Sequence, residues 1–533
     1  MSILRRRSPR PRYVKEAVRH GLREEYVYDQ APLSRRLSDN IDALKQIFAR
    51  SADVVFYPFT LFDNRDGCLI YIEGLVDSKH IASDLLRPLT RARVTKLQYP
   101  TRKLSVRQLV HAYVTIPEGE SASTLGQVVK YIMEQYVILV VEGEDEAAAL
   151  SAVSRRDRSI QEPDTESVIR GPREGFNENI GTSISLVRRR LPTPDFKTEN
   201  MQIGLYTKTD VVLCYVQGLA DPEVLQEARE RLGRIQMDGV IDSGYLEEMI
   251  EDNPYSPFPQ IQNTERPDVV AASLLEGKFA ILMDGSPFAL VAPVNLWSAL
   301  QAAEDYYERY MIVTLLRFLR YMFLNFALFL PSLYVAITTF HQEMLPTKLL
   351  FSVAAAREAT PLPAVMEALI MELSFEALRE AGVRLPKAVG SAISIVGALV
   401  IGQAAVAAGM ASAPMVIIVA LTGISSFVIP RYNFAISIRM LRFPLIVLAG
   451  SLGLFGLVMG LIAIAIHLCS LRSFGRPYLS PVSPLDGAGI MDTFIRAPRW
   501  AMEKRPVEIS KANRRRQTDS TRPRRRLPRL RQT

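Results

Sequence analysis

The chain has 533 residues, of which 48% are apolar and 23% are charged, and its formal net charge is +8. Its mean hydropathy of +0.08 hides an uneven distribution, because residues 321–340, 388–430 and 443–470 contain no charged side chain. Uncharged runs of this length are typical of membrane spans and exclude a purely water-soluble enzyme. Three cysteines are too few for a disulfide scaffold or for a metal site made of four thiolates.

The basic residues are concentrated at the two ends of the chain. Residues 1–23 hold eight basic side chains and one acidic, and residues 471–533 hold 16 basic and 5 acidic. Basic tails bind either nucleic acid or anionic lipid, and tails beside membrane spans favour cytoplasmic segments that face lipid headgroups. We therefore expect membrane lipid, and no nucleic acid, as their partner. Residues 1–33 are predicted to be a basic flexible arm.

A small α/β subdomain is predicted over residues 34–150. Its clearest strand, residues 69–72, is β-branched and aromatic and ends before Gly74, and a helix capped by Asp77 follows. A second apolar run, residues 136–141, has the pattern of a buried strand and also ends at a glycine.

The same pattern recurs further along the chain. LIYIEGLVD at 69–77 and LCYVQGLAD at 213–221 share Leu, Tyr, Gly, Leu and Asp, and the later strand at 138–143 has a counterpart at 281–285. Any strand–glycine–helix unit looks like another, but two matched strands favour a duplication. The sequence therefore predicts a second, related α/β subdomain over residues 195–294.

Two connecting segments flank the second subdomain. Residues 151–194 are predicted to be a polar linker followed by a helix, because apolar residues recur there at helical spacing. Residues 295–317 are predicted to be an amphipathic juxtamembrane helix, whose tyrosines suit the headgroup region.

An α-helical multi-pass transmembrane domain is predicted over residues 318–470. Its spans are expected at about 318–340, 388–409, 414–430 and 443–469. Four crossings place both basic tails inside but leave Arg431, Arg439 and Arg442 in an outer loop. A fifth crossing, formed by residues 346–378, would move those arginines inside and the basic C-terminal tail outside. We favour four, with the large N-terminal region cytoplasmic and residues 471–533 as a basic disordered tail, because the tails carry more charge.

The segment 346–387 interleaves apolar residues with carboxylates. A free crossing helix would not carry so many charges, so we predict a re-entrant or interfacial segment. Two interpretations of its glutamates remain open. They form the solvated acidic face of an interfacial helix, or they form a vestibule that attracts cations when subunits repeat it around an axis. The candidate vestibule residues are Glu367, Glu372, Glu376 and Glu380.

The run 388–410 is rich in small and weakly polar residues, which allow helices to pack closely. Alternatively, some of them line a narrow pore, for which the candidates are Ser391, Ser394 and Gln403. The glycines of the last span, at 453, 456 and 460, are predicted to be helix-packing contacts.

Motifs of catalytic and nucleotide-binding sites are missing from the sequence. It contains no GxxxxGK[ST], no GxGxxG after a strand, and no HExxH, GxSxG or CxxC. The five histidines are scattered, and Cys68 and Cys214 belong to the two matched strand regions, where small buried thiols are expected. We therefore expect no enzyme activity, no cofactor and no metal site.

Six long stretches carry a family resemblance. They are LIYIEGLVD at 69–77, RGPREGFNENIGTSISLVRRRL at 170–191, HQEMLPTKLLFSVAAAREATPLPAVMEALIMELSFEALREAGVRLP at 341–386, AISIVGALVIGQAAV at 392–406, ALTGISSFVIP at 420–430 and LRSFGRPYLSP at 471–481. Together they resemble the A subunit of GerA-type germinant receptors, the GerABKA family of bacterial spore germination proteins. The resemblance covers about residues 50–484, and the Arg-rich end of the chain lies outside it.

The resemblance implies a component of a nutrient receptor in the spore inner membrane. It also implies a transporter-like B subunit and a lipoprotein C subunit as partners, and a homo-oligomer, as a ring, that passes monovalent cations when nutrient binds. Two hypotheses follow: a ligand-gated cation channel subunit, or a membrane scaffold that organises partners without conducting ions.

Overall fold

The computed structural model describes residues 18–20, 23–91, 104–114, 119–151, 162–163, 165–384, 400–507 and 513–517. Within these residues the chain forms two α/β subdomains, a bundle of long helices, and a C-terminal segment that packs back onto the second subdomain. The predicted fold class is therefore confirmed.

Subdomain 1 follows a short hairpin of β1 (Val18–His20) and β2 (Arg23–Glu25). Its antiparallel sheet has the strand order β3-β4-β6-β7-β5 and carries helices on both faces. The strands are β3 Val54–Thr60, β4 Asp66–Ile72, β5 Glu120–Ala122, β6 Tyr136–Val141 and β7 Ala147–Ser151. The helices are α1 Leu37–Ile47, α2 over residues 78–91, α3 Val106–Tyr113 and α4 Leu125–Met133. Tyr28 and Leu33, at the end of the predicted arm, are buried in this core.

Subdomain 2 repeats this architecture, with α5 and α8 on one face of its sheet and α6 and α7 on the other. Its antiparallel strands pair in the order β8-β9-β11-β12-β10. The strands are β8 Phe196–Ile203, β9 Thr209–Val216, β10 Gln262–Thr264, β11 Phe279–Met283 and β12 Ala289–Ala292. The helices are α5 Ile180–Arg190, α6 Pro222–Arg234, α7 Ser243–Ile250 and α8 Pro267–Glu276.

The internal duplication extends to the local geometry of the matched motifs. Gly74 and Gly218 end the paired strands with φ of +83° and +85°, a region that favours glycine. Asp77 and Asp221 then cap the following helices, and each carboxylate accepts a hydrogen bond from a backbone N–H two residues on, at 2.9 and 3.0 Å. Because the strand order is also the same, the predicted duplication is confirmed.

The bundle begins where subdomain 2 ends. Its helices are α9 Tyr310–Phe340, α10 Thr347–Arg357, α11 Ala364–Arg384, α12 over residues 400–407, α13 Ala413–Phe427 and α14 Tyr432–Ser470. Among the described residues, α9 and α14 are long and apolar enough to cross a membrane, and α13 is a shorter apolar helix. The predicted amphipathic helix over 295–317 is instead two 3₁₀ turns, Leu296–Leu300 and Ala303–Tyr306, followed by the start of α9.

Helix α14 turns back on itself at Gly453, where φ is +64° and ψ is −143°. The rings of Phe434 and His467 lie 6.1 and 6.0 Å from the ring of Phe258, between ring centroids. A straight helix would separate Phe434 from His467 by about 50 Å. The stretch predicted as a single span, 443–469, therefore contains the turn of a helical hairpin.

The bundle has a domain end, close to subdomain 2, and a far end. At the domain end, the His467 ring and the Ser256 hydroxyl share a hydrogen bond of 2.8 Å, and Arg431 pairs with Glu166 of the linker. At the far end, the turn of the α14 hairpin at Gly453 packs against the end of α9. Both arms of the hairpin and α9 thus connect the two ends.

The C-terminal segment returns to subdomain 2 through β13 (Arg472–Ser473) and β14 (Arg476–Pro477). Phe474 and Tyr478 are 4% and 1% exposed. The sequence predicted disorder for all of 471–533, but residues 471–507 are packed. The Phe474 and Tyr478 side chains are buried against other parts of the protein, and composition alone does not indicate such contacts.

Candidate functional site

The glutamates of α11 face arginines of α14. Glu372 pairs with Arg442, and both side chains are 4% exposed. One turn further along, the Glu376 carboxylate lies 3.6 Å from Arg439 Nε. Residues four apart on one helix and three apart on the other lie on matching faces, so the four side chains form two successive ion pairs between the helices.

Arg442 also satisfies a carbonyl that a proline leaves without a helical partner. Pro331 lies inside α9 and has no N–H to donate to the carbonyl of Ala327, four residues earlier. Arg442 Nε donates to this carbonyl at 2.8 Å. A single arginine therefore ties α14 to both α9 and α11.

Glu367 belongs to α11, and its carboxylate lies at the N-terminus of α13. It is fully buried, and its carboxylate accepts hydrogen bonds from the backbone N–H and the hydroxyl of Ser412, at 3.0 and 2.9 Å. Arg357 Nε lies 3.5 Å from the same carboxylate. A negative charge is favourable there because the helix dipole places positive charge at the first turn.

The structure separates the four predicted vestibule carboxylates into two groups. Glu367 and Glu372 are buried and paired with arginines, whereas Glu376 is partly exposed and Glu380 is exposed. Of the predicted pore residues, Gln403 is exposed on α12, and Ser391 and Ser394 lie outside the described residues. Both the vestibule and the pore remain predictions.

A second buried charge cluster joins the base of α9 to the rest of the chain. Asp305 is 1% exposed and accepts hydrogen bonds from Arg317 Nε at 3.3 Å and Arg320 Nη1 at 2.6 Å. Arg317 also pairs with Asp492 of the C-terminal segment at 3.1 Å. Burial raises the pKa of Asp492, and the nearby Arg317 opposes this shift. The start of α9 is therefore fixed by ion pairs within the protein.

The two subdomains are joined through Arg188, whose side chain is fully buried. Its guanidinium donates to the Asp53 carboxylate at 2.9 and 2.7 Å, and to the carbonyl of Phe196 at 2.9 Å. A cleft of about 670 Å³ with a mixed polar and apolar lining lies beside this junction, with Asn179 and Arg189 in its wall. Its volume is in the range of small-molecule sites.

The described residues contain no group of three or more His, Cys, Asp or Glu side chains that could hold a metal ion. Cys68 and Cys214 are buried, as predicted, and Cys469 is exposed. Burial raises the pKa of the Cys68 thiol to about 11, so this group is protonated at neutral pH.

Sequence reasoning missed the roles of Arg439 and Arg442, which it used only to weigh the topology. Their three-residue spacing, set against the four-residue spacing of Glu372 and Glu376, was a usable signal. It was missed because pairing across 70 residues is not a local property.

A duplicated pair of α/β subdomains is followed by apolar helices, two of which are long and apolar enough to cross a membrane. This is the architecture of a membrane protein whose N-terminal half has no candidate span among its described residues. The chain belongs to the family described as Bacillus/Clostridium GerA spore germination protein, whose model matches residues 42–508. The resemblance predicted from the sequence is therefore confirmed, and the chain is a homologue of the A subunits of this family.

Two of its relatives align with about nine-tenths of the chain. It is 50% identical to a Bacillus subtilis protein described as uncharacterized membrane protein YfkQ, over 90% of this chain and 93% of that protein. It is 45% identical to spore germination protein KA of Bacillus subtilis, over 92% of this chain and 90% of that protein. The solved N-terminal domain of the A subunit of the Bacillus megaterium germinant receptor GerK3 is 35% identical, covering 49% of this chain and 96% of that one, with a TM-score of 0.40.

Proposed function

We propose that this chain is the A subunit of a nutrient germinant receptor in the spore inner membrane and that it forms the oligomeric, cation-conducting part of that receptor. Its partners are a transporter-like B subunit and a lipoprotein C subunit, together with further copies of itself. The observation that carries the proposal is the family match over residues 42–508, combined with helices whose buried charges are paired inside the bundle. Such pairing allows carboxylates and arginines to lie at membrane depth.

The topology that we propose places the N-terminal half and the C-terminal segment on the same, cytoplasmic side. Support comes from the α14 hairpin, whose two ends both lie at the domain end of the bundle. An even number of crossings follows, and Arg431 then lies on the cytoplasmic side, as the positive-inside rule prefers.

The proposed pore is lined by the 388–409 span, including Ser391, Ser394 and Gln403. The exposed position of Gln403 supports this assignment, because in an oligomer an exposed polar side chain of an apolar helix faces either a neighbouring copy or an aqueous path. Glu376 and Glu380 are the members of the proposed vestibule that are open to solvent.

Cation conductance in liposomes tests this function. We expect Glu376→Gln together with Glu380→Gln to lower the preference for cations, and Gln403→Leu to lower conductance. Glu146→Gln, which changes an exposed carboxylate of subdomain 1, is the control. Unchanged selectivity and conductance in both variants would remove the channel role.

The scaffold hypothesis is the alternative, and it makes the opposite prediction. If the chain only organises its partners, Gln403→Ala leaves ion leak unaffected. The mass of the detergent-solubilised chain separates the two further, since a ring is needed to surround a pore and a monomer favours the scaffold.

A further inference from the structure

The stretch LRSFGRPY at 471–478 leaves the last helix and enters subdomain 2, and the proposed function gives it no role. It forms the tight β13–β14 hairpin, in which Phe474 and Gly475 have φ of +46° and +74°. We call residues 471–478 the C-terminal hook.

The tip of the hook is part of the subdomain 2 core. The Phe474 ring is 4% exposed, lies edge-on to Phe279 at 4.9 Å between centroids, and lies 4.6 Å from the Arg231 guanidinium. The backbone N–H groups of Phe474 and Gly475 each donate to the Asp252 carboxylate at 3.1 Å. Both the side chain and the backbone of the tip are therefore anchored.

A second anchor uses the capping residue of the duplicated motif. Arg476 pairs with Asp221, and the two side chains are 15% and 6% exposed. Asp221 caps α6 at the same time. Breaking an ion pair this well buried is costly, because the remaining charge is left without a partner away from water.

The hook also holds the segment that leads to the first long helix. Ser473 Oγ accepts from the backbone N–H of Val294 at 3.0 Å, and the backbone N–H of Leu296 donates to the Tyr478 carbonyl at 2.9 Å. The chain leaving subdomain 2 for α9 and the chain returning from α14 are therefore hydrogen-bonded side by side on one subdomain.

We infer that the hook is a mechanical coupler, in which Phe474 and Arg476 are positioning residues. They fix the end of α14 to subdomain 2 so that this subdomain, the start of α9 and the end of α14 move as one body. A rearrangement of subdomain 2 then acts on both helices together. The inference does not depend on whether the bundle conducts ions.

Amide hydrogen exchange, followed by mass spectrometry on the full chain in detergent micelles, tests the coupler. Asp221→Asn keeps the helix cap, since asparagine caps as well as aspartate, but removes the charge that Arg476 needs. We expect exchange to become roughly tenfold faster, or more, over 471–478, the last turns of α14 and residues 294–300. Asp77→Asn, the matched change in subdomain 1, should leave these segments unchanged.

A double-mutant cycle isolates the pair itself. Arg476→Gln should reproduce the effect of Asp221→Asn, and the double variant should add little to either single change, because each removes the same interaction. Additive effects of the two changes would overturn the inference. Faster exchange of the hook alone, without change in α14 or residues 294–300, would also overturn it.

Discussion

At the scale of single residues, burial of charge dominates the bundle. Arg442 pairs with Glu372 and also satisfies the carbonyl of Ala327 that Pro331 leaves free. A proline inside a helix is unfavourable because it leaves a carbonyl without a hydrogen bond, and an arginine in an apolar helix is unfavourable because it is charged. Here the arginine donates to the free carbonyl, so each residue offsets the disadvantage of the other.

Removing the Arg442 side chain should therefore strongly destabilise the helix bundle. We expect Arg442→Gln to destabilise the bundle by about 3–5 kcal/mol, because the Glu372 carboxylate stays buried without its partner. Arg439→Gln should cost less, since Glu376 is partly exposed. Thermal unfolding in detergent measures both. A double variant, Arg442→Met with Glu372→Met, should recover part of the loss, and a further decrease would contradict the role of the pair.

A carboxyl group in subdomain 2 should make stability depend on pH. Burial, assisted by Glu251 and Asp242, raises the pKa of Glu247 from 4.5 to about 7. Between these values the folded state binds more protons than the unfolded state, so stability falls as pH rises, by up to about 1.4 kcal/mol per pH unit. Hydrogen exchange of subdomain 2 at pH 4.5 and 7 measures the slope.

Glu247→Gln should reduce this slope without abolishing it. Glu251 contributes in the same direction, because burial raises its pKa as well. A slope that is the same in the variant and the original chain would show that Glu247 is ionised when folded.

At the scale of elements, the α14 hairpin depends on one glycine. Gly453 has φ +64° and ψ −143°, and a Cβ there would lie 2.8 Å from the His341 ring and 3.0 Å from Phe340. Its role is thus a reversal of the chain, which goes beyond the packing contact predicted from sequence. The other two glycines of this span, at 456 and 460, do pack closely against the opposite arm.

Gly453→Ala should destabilise the bundle by at least about 1–3 kcal/mol, because alanine is strained in this conformation and also collides with α9. Gly233→Ala, in the last turn of α6 with open space around it, should be neutral or stabilising by less than about 1 kcal/mol. Thermal unfolding in detergent compares the two. Equal stability of both variants would mean that the hairpin turn tolerates a side chain.

At the scale of the whole molecule, buried ion pairs connect successive units. Arg188 with Asp53 joins the two subdomains, and the hook with the Asp305 cluster joins subdomain 2 to the bundle. Each connection is made of residues far apart in sequence, so the units are held by tertiary contacts in addition to the chain.

Asp53→Asn should weaken the first of these connections by about 3–5 kcal/mol, because Arg188 remains buried and charged. We expect calorimetry of the full chain to separate the unfolding of subdomain 1 from that of subdomain 2. Asp145→Asn, which removes a solvent-exposed pair with Arg35, should leave stability nearly unchanged, because water screens exposed ion pairs. A single unchanged transition in Asp53→Asn would show that the subdomains are held together by other contacts.

The sequence by itself determined the features that depend on neighbouring residues. The matched LIYIEGLVD and LCYVQGLAD motifs predicted a duplicated strand–turn–helix unit, because strand pattern, glycine turn and aspartate cap are local signals. Uncharged runs likewise predicted the apolar helices, and the long stretches carried the family resemblance.

Only the tertiary structure decided which charges meet and where the chain reverses. Glu372 and Arg442 are 70 residues apart, Phe474 is nearly 200 residues from its partner Phe279, and Gly453 lies in a run that is helical on both sides. Sequence periodicity indicates which face of a helix a residue lies on. It does not indicate the partner that meets this face, because packing between helices sets that partner. An unpaired buried charge is strongly destabilising, so the charged side chains buried by this packing are paired.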